Sequence, residues 1–144
     1  MKKRTCSLMI ALAIVLALGA FPVQAEDVDP YDPGPIIEEY QHLLTISAGL
    51  SISSSGLATC AGAGNSYYVS DTCYLTLRLY RQSSDGTWSV IKTWYASGSP
   101  AAAATKSYYV THGHNYKVVA TVSVYTSTGT YIETVSKTSK IVYY

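Results

Sequence analysis

From residue 43 onward, apolar and polar residues alternate with a period of two, which is the pattern of β-strands that bury one face. Turn residues interrupt this pattern about every eight to twelve positions. The alanines at 101–104 follow a proline and are too few to nucleate a helix, so they predict a loop that leads into a strand. The pattern predicts an all-β, antiparallel sandwich. Its seven expected strands lie near 44–52, 55–62, 72–82, 87–96, 104–111, 115–125 and 131–142.

The Asp85-Gly86 dipeptide predicts a tight hairpin between the third and fourth strands. A two-residue loop pairs odd positions of one strand with even positions of the next. Lys92 would then lie on the buried face, so either its side chain extends to solvent or a β-bulge shifts the register. An odd loop length would instead turn the tryptophans outward. The expected inward residues are Cys73, Leu75, Leu77 and Leu79, facing Trp88, Val90 and Trp94.

The opposite face of this hairpin is rich in tyrosine and threonine, and we expect the sixth strand to extend it. Tyrosine has a flat apolar ring with a polar end, which suits stacking on sugar rings or contact with a protein partner. The same residues also stabilise a half-exposed strand without any ligand. The face comprises Tyr74, Thr76, Arg78, Tyr80, Ser89, Ile91, Thr93, Tyr95, Lys117, Thr121, Ser123 and Tyr125. The candidate ligand-binding residues are Tyr74, Arg78, Tyr80, Tyr95 and Tyr125.

The segment VTHGHNYKVVATVSVY places a glycine turn before a tyrosine and then alternating valines. Through Gly113 and Tyr116 it resembles the tyrosine corner of immunoglobulin-like and fibronectin type III sandwiches. That resemblance implies a seven-stranded sandwich whose tyrosine hydroxyl bonds backbone across the turn. The longer string from GLSISSSGLATC through DGTWSVIKTWYASG to KSYYVTHGHNYKV is similar to small exported proteins of Gram-positive bacteria with no assigned activity. That similarity implies secretion and a sandwich, and supplies no catalytic residues.

The N-terminal segment MKKRTCSLMIALAIVLALGAFPVQA has a basic start, an apolar run and small residues before Glu26, as in a secretory signal peptide. We therefore expect a signal at 1–25, cleavage after Ala25 and a secreted product that meets the membrane only during export. An uncleaved anchor is the alternative, but the apolar run is short. Residues 26–42 hold six of the nine acidic residues and three prolines, which predicts a disordered tail before a domain at 43–144.

Cys60 and Cys73 are the two cysteines beyond the signal, and an exported chain with an even number of them favours a disulfide. A free nucleophilic thiol or a metal ligand is the alternative, although the spacing matches no zinc motif. Cys6 lies ahead of the apolar run, which argues against a lipid anchor.

This sequence lacks the residue patterns that catalysis or cofactor binding would need. There is no G-x-S-x-G motif, and the expected domain has only three acids, Asp71, Asp85 and Glu133. Asp71 and Glu133 are the alternative, as the carboxylate pair of a glycosidase. Histidines 112 and 114 lack a third ligand, so no metal is expected. The glycine loop at 62–64 precedes no helix, so it does not indicate phosphate binding. We expect a non-enzymatic protein without cofactors.

The charge of the chain narrows its partners. Residues 43–144 carry seven basic and three acidic side chains, a net charge of about +4, which does not indicate nucleic-acid recognition. Two functions remain: an extracellular binding or adhesion module for a cell-wall polymer, glycan or host protein, and a self-associating structural protein that pairs through its last strand. A small secreted hydrolase is the third alternative.

Overall fold

The structure, a computed structural model, describes residues 40–144, which form two antiparallel β-sheets packed face to face. The all-β sandwich predicted from the sequence is confirmed. The expected signal peptide at 1–25 and the tail up to residue 39 lie outside the described residues. The strands are β1 (Leu43–Ile52), β2 (Leu57–Ser66), β3 (Thr72–Gln82), β4 (Trp88–Gly98), β5 (Ala101–Tyr109), β6 (Asn115–Tyr125), β7 (Tyr131–Thr138) and β8 (Val142–Tyr143).

The smaller sheet has the strand order β1-β2-β5, and the larger has the order β4-β3-β6-β7 with β8 added beside β6. The sixth strand therefore pairs with the third, as predicted. In described residues no helix is long and apolar enough to span a membrane.

The core lies between the sheets and is filled by alternate residues of β3 and β6. Leu75, Leu77 and Leu79 are at most 1% exposed, as expected from the alternation. On the facing strand β2, Gly62 and Gly64 occupy the inward positions opposite these large side chains. A Cβ added at Gly64 would lie 2.5 Å from Val122 Cγ2, so the sheets approach too closely there for a side chain.

The fifth strand begins earlier than predicted, because the alanines at 101–104 form its first half instead of a loop. Ala101 pairs with Asn65 and Ala104 pairs with Gly62 on β2. A strand propensity scale ranks alanine low, but pairing with a neighbouring strand overrides that preference.

The hairpin between β3 and β4 has an odd-length loop, so the predicted register is wrong at its tip. Ser83 and Thr87 pair through a 2.8 Å backbone bond around three turn residues, which places Gln82 opposite Trp88. A β-bulge between the pairs Leu79–Lys92 and Tyr80–Val90 then restores the predicted register further along.

Because of the bulge, only some of the β4 residues that were expected to face the core do so. Trp94 packs against the core as predicted, whereas Trp88 lies outside it and Val90 is 47% exposed. Ile91, expected on the outer face, is the bulged residue and packs against the core. Lys92 is exposed, and its ammonium lies 5.8 Å from the centroid of the Tyr108 ring.

The two cysteines are free and buried, so the predicted disulfide is absent from the structure. Cys73 and Ser66 lie side by side, because the Cys73 thiol and the Ser66 N–H both bond the Pro100 carbonyl. Cys60 is six residues from Ser66 along the same strand, about 20 Å at the usual rise per residue. A disulfide needs Cα atoms within about 7 Å.

The turn before β6 has the geometry of a tyrosine corner. Gly113 has a φ of 88°, and the fully buried Tyr116 donates its hydroxyl to the Thr111 carbonyl at 2.6 Å. The predicted seventh strand is divided at Ser139, whose hydroxyl accepts the Val118 N–H at 2.9 Å. Beyond this break, Val142 and Tyr143 pair with β6.

Candidate functional site

The outer face of the larger sheet carries the predicted tyrosines, and we call it the tyrosine face. Its rows run across the strands: Tyr74 has Ser97 and Ser123 as its neighbours, and Thr76 has Tyr95 and Thr121. Arg78 lies in the next row between Thr93 and Val119. The large polar and aromatic side chains of this face therefore form one surface on β3, β4, β6 and β7.

A groove opens at the end of the tyrosine face where β6 turns into β7. Its volume is about 560 Å³, which is within the usual range for small-molecule sites. Tyr74 and Tyr125 line it, and their ring centroids are 5.4 Å apart at an interplanar angle of 87°. The other lining residues are Thr72, Ser123, Thr126, Ser127 and Gly129.

Tyr131 belongs to the same aromatic cluster, although the sequence analysis did not include it. Its ring centroid lies 5.5 Å from that of Tyr125. Tyr74 is 52% exposed and Tyr131 is 54% exposed, so both present ring surface to solvent. Tyr125 pairs with Tyr131 across the β6–β7 hairpin, and this pairing creates the contact. The hairpin pattern in the sequence was the signal from which the contact could have been predicted.

The other end of the tyrosine face is cationic. Lys117 pairs with Tyr80, and its ammonium lies 4.3 Å from the centroid of the Trp88 ring and 5.6 Å from that of Tyr80. These distances are typical of cation–π contacts. Trp88 reaches this position only because of the odd hairpin loop.

The predicted ligand residues thus fall into separate groups. Tyr74 and Tyr125 lie together at the groove, while Tyr80 lies six residues along β3 from Tyr74, about 20 Å away. Tyr95 is 74% exposed and stands on edge strand β4 opposite Thr76. Arg78 lies between the two aromatic groups. The structure places all five on one sheet and brings two of them into contact.

A second polar cluster, missed by the sequence analysis, surrounds His42, the residue before β1. The His42 Nδ1 lies 2.7 Å from Asp71 Oδ2, and Ser66 Oγ donates to the same oxygen at 2.7 Å. The His42 ring also packs on Tyr68, with centroids 4.4 Å apart. Burial alone would raise the pKa of the Asp71 carboxyl, but the bonds from Ser66 and His42 lower it below its ordinary value.

Glu133 holds the backbone next to this cluster. Its carboxylate accepts the N–H groups of Gln41, His42 and Leu43 at 3.1, 2.6 and 2.7 Å. Burial opposes ionisation, yet these three bonds lower the pKa of the Glu133 carboxyl. Gln41 and His42, which the sequence analysis assigned to the disordered tail, are therefore bonded to the domain.

The hydrogen bonds around His42 tether the segment before β1 to the rest of the domain. In a nucleophilic triad the serine hydroxyl donates to the imidazole and the aspartate orients the other ring nitrogen. Here Ser66 is 4% exposed and donates to the carboxylate instead. Asp71 and Glu133, considered above as a glycosidase pair, each hold the segment around residue 42.

The two histidines of the tyrosine corner have local partners. His114 Nδ1 lies 3.2 Å from the Gln82 carbonyl oxygen, and the His112 ring packs on Tyr144. Burial raises the pKa of the Cys60 thiol to about 11 and also raises that of Cys73, so neither is an activated nucleophile. Over residues 40–144, no group of three or more His, Cys, Asp or Glu is placed to hold a metal ion.

Comparisons with known proteins add little to this description. No protein-family model and no curated protein matches the chain. Among solved structures, Bacteroides uniformis beta-glucuronidase 2, covalently bound to cyclophellitol-6-carboxylate aziridine, matches at 17% sequence identity with a TM-score of 0.35. The match covers 69% of this chain but 13% of that enzyme's chain. A similarity this weak carries no argument about function.

Proposed function

We propose that this protein is a secreted, non-enzymatic binding module that holds an extracellular partner on the tyrosine face. The observation that carries the proposal is the exposure of aromatic rings beside an open groove, with Tyr74 and Tyr131 each about half exposed. Tyrosine is enriched at binding surfaces because it buries much area and loses little conformational entropy. The N-terminal signal pattern supports secretion.

The tyrosine face differs from an ordinary solvent-exposed sheet face in its arrangement. Cross-strand stability requires only paired residues such as Thr121 and Ser136, whose hydroxyls lie 2.8 Å apart. Apart from Tyr95, the aromatic rings are instead clustered at the two ends of the sheet, one group beside the groove and one around Lys117. Clustered, exposed aromatic side chains are the usual composition of a binding site.

Co-sedimentation with bacterial cell walls and binding to a glycan and protein panel test the proposal. We expect a variant with Tyr74→Ala, Tyr80→Ala and Tyr95→Ala to lose binding while circular dichroism shows an intact sandwich. The matched control is Tyr67→Ala with Tyr109→Ala, because these tyrosines are both 70% exposed and lie outside the tyrosine face. Equal loss in the control variant, or full binding by the triple variant, would contradict the proposal.

Self-association through the last strand has less support. Val142 and Tyr143 pair with β6, and the Tyr144 N–H donates to the His114 carbonyl, so this backbone is already bonded within the domain. Strand β7, which lies on the same side of β6, carries Lys137, and a charged lysine on an edge strand opposes pairing with a second copy.

A further inference from the structure

We infer that the groove beside Tyr125 binds an uncharged carbohydrate, such as a neutral segment of a cell-wall or surface glycan. This inference rests on the proposed function and names its ligand class.

The lining of the groove contains tyrosines, serines, threonines and a glycine, and no charged side chain. Every hydroxyl among them can both donate and accept a hydrogen bond. A sugar ring presents the same two capacities along its edge, together with C–H groups on its faces that pack against aromatic rings. An uncharged polyol therefore matches both the charge and the hydrogen-bonding character of this surface.

An anionic ligand is less suited to the groove because the cations of the tyrosine face lie elsewhere. Arg78 is four residues from Tyr74 along β3, about 13 Å away at the usual rise per residue. Lys117 is eight residues from Tyr125 along β6 and is already engaged with the Trp88 ring at 4.3 Å. An acidic polymer would instead contact this cationic end, which makes the two ligand classes separable by position.

The groove residues are held in place without a ligand. Tyr125 contacts the rings of both Tyr74 and Tyr131 at centroid distances of 5.4 and 5.5 Å. Ser123 Oγ lies 2.7 Å from the Thr134 hydroxyl, and Thr126 Oγ1 accepts the Thr130 N–H at 3.1 Å. Because these side chains are already ordered, binding a ligand costs little further conformational entropy.

The test is an NMR titration of the ¹⁵N-labelled protein with short cello-, xylo-, manno- and chito-oligosaccharides, beside an acidic oligogalacturonate. We expect at least one neutral series to shift the amide signals of Ser123, Thr126, Ser127 and Gly129. Tyr125→Ala should weaken that binding about tenfold or more, the usual effect of losing a central aromatic contact. Tyr125→Phe, which keeps the ring, should retain most of the affinity, and Tyr109→Ala, at an exposed tyrosine of the smaller sheet, should leave it unchanged.

Three other outcomes overturn the inference, and they differ in what they imply for the proposed function. Binding by the acidic probe alone, with shifts near Arg78 and Lys117, would reject the neutral ligand but keep the tyrosine face as a binding surface. Neutral binding that Tyr125→Ala does not weaken would remove the groove as the site. If no probe binds while cell walls still co-sediment through the tyrosine face, the ligand is not a carbohydrate of this class.

Discussion

At the scale of single residues, the two cysteines show how position along a strand decides chemistry. Their number and the expected export favoured a disulfide, and the sequence contained no signal against one. The structure separates them because Cys73 is the second residue of β3 and lies beside the end of β2, whereas Cys60 lies near the middle of β2. The spacing of two cysteines along the sequence does not show which ends of their strands lie beside each other.

We predict that Cys60 and Cys73 react with iodoacetamide slowly in the folded protein and fully in denaturant, without any reductant. Their raised thiol pKa values and complete burial both keep the reactive thiolate scarce and inaccessible. Mass spectrometry of the alkylated peptides measures each site. Labelling in denaturant that appears only after reduction would show that the cysteines are bonded after all.

The tyrosines give a more favourable comparison between sequence and structure. Period-two alternation was sufficient to place Tyr74 and Tyr80 on one face of β3, because strand side chains alternate strictly. Tyr95 lies on the same face of the sheet because the β-bulge offsets the odd hairpin loop. It could not show that Tyr74 and Tyr125 meet at a groove, since that depends on which strands are neighbours and on the β6–β7 turn. The contact with Tyr131 depends in addition on a register shift between Val124 and Tyr125.

At the scale of strands, the β3–β4 hairpin shows the limit of register arguments. One extra residue in the turn reversed the direction of Trp88 and Val90, and one bulged residue, Ile91, reversed it again for Trp94. Both events are local and leave no mark in the hydrophobic pattern. The result bears on the proposed binding surface, since it moves Trp88 from the expected core to the tyrosine face, against Lys117.

Strand β2 provides a prediction about the distance between the sheets. We expect Gly64→Ala to lower the free energy of unfolding by about 1–3 kcal/mol, the usual effect of overpacking a core. The new Cβ would lie 2.5 Å from Val122 Cγ2, and the β-branched Val122 side chain has little freedom to move away. Urea denaturation followed by tryptophan fluorescence measures the change.

The matched control for this substitution is Gly49→Ala on the adjacent strand β1. Its Cβ would meet only the Ala61 Cβ, at an ordinary contact distance of 3.8 Å. We therefore expect Gly49→Ala to leave stability within about 0.5 kcal/mol of the original protein, as for substitutions without strain. Similar losses in both variants would show that alanine is disfavoured throughout this sheet, independently of the distance to Val122.

At the scale of the whole molecule, the fold was predictable because its determinants are distributed along the chain. Alternation, turn spacing and the tyrosine corner all indicate the same sandwich, and errors of a few residues at strand ends do not change that result. The tether around His42 was not predictable, since Ser66, Asp71 and Glu133 come from different strands and loops. Two of the three acids that were candidates for catalysis instead bind the segment next to β1.

The tether leads to a prediction about acid stability. The lowered pKa values of Asp71 and Glu133 mean that the unfolded chain binds more protons than the folded one in the acidic range. The stabilisation that these two carboxylates contribute is therefore fully present above their ordinary pKa values, about 4. It is lost as the pH falls through their lower, folded-state pKa values. We expect the free energy of unfolding to decrease from neutral pH toward pH 3 or below.

The variant Glu133→Gln isolates the larger part of this tether, because it removes the charge that accepts three backbone N–H groups. We expect it to be less stable than the original protein at pH 7, with the difference shrinking as acid protonates Glu133 in the original. Urea denaturation at a series of pH values measures both curves. Convergence of the two at low pH is the signature of a carboxylate with a lowered pKa, whereas a constant difference at every pH would mean that Glu133 stabilises the domain through its shape and packing alone.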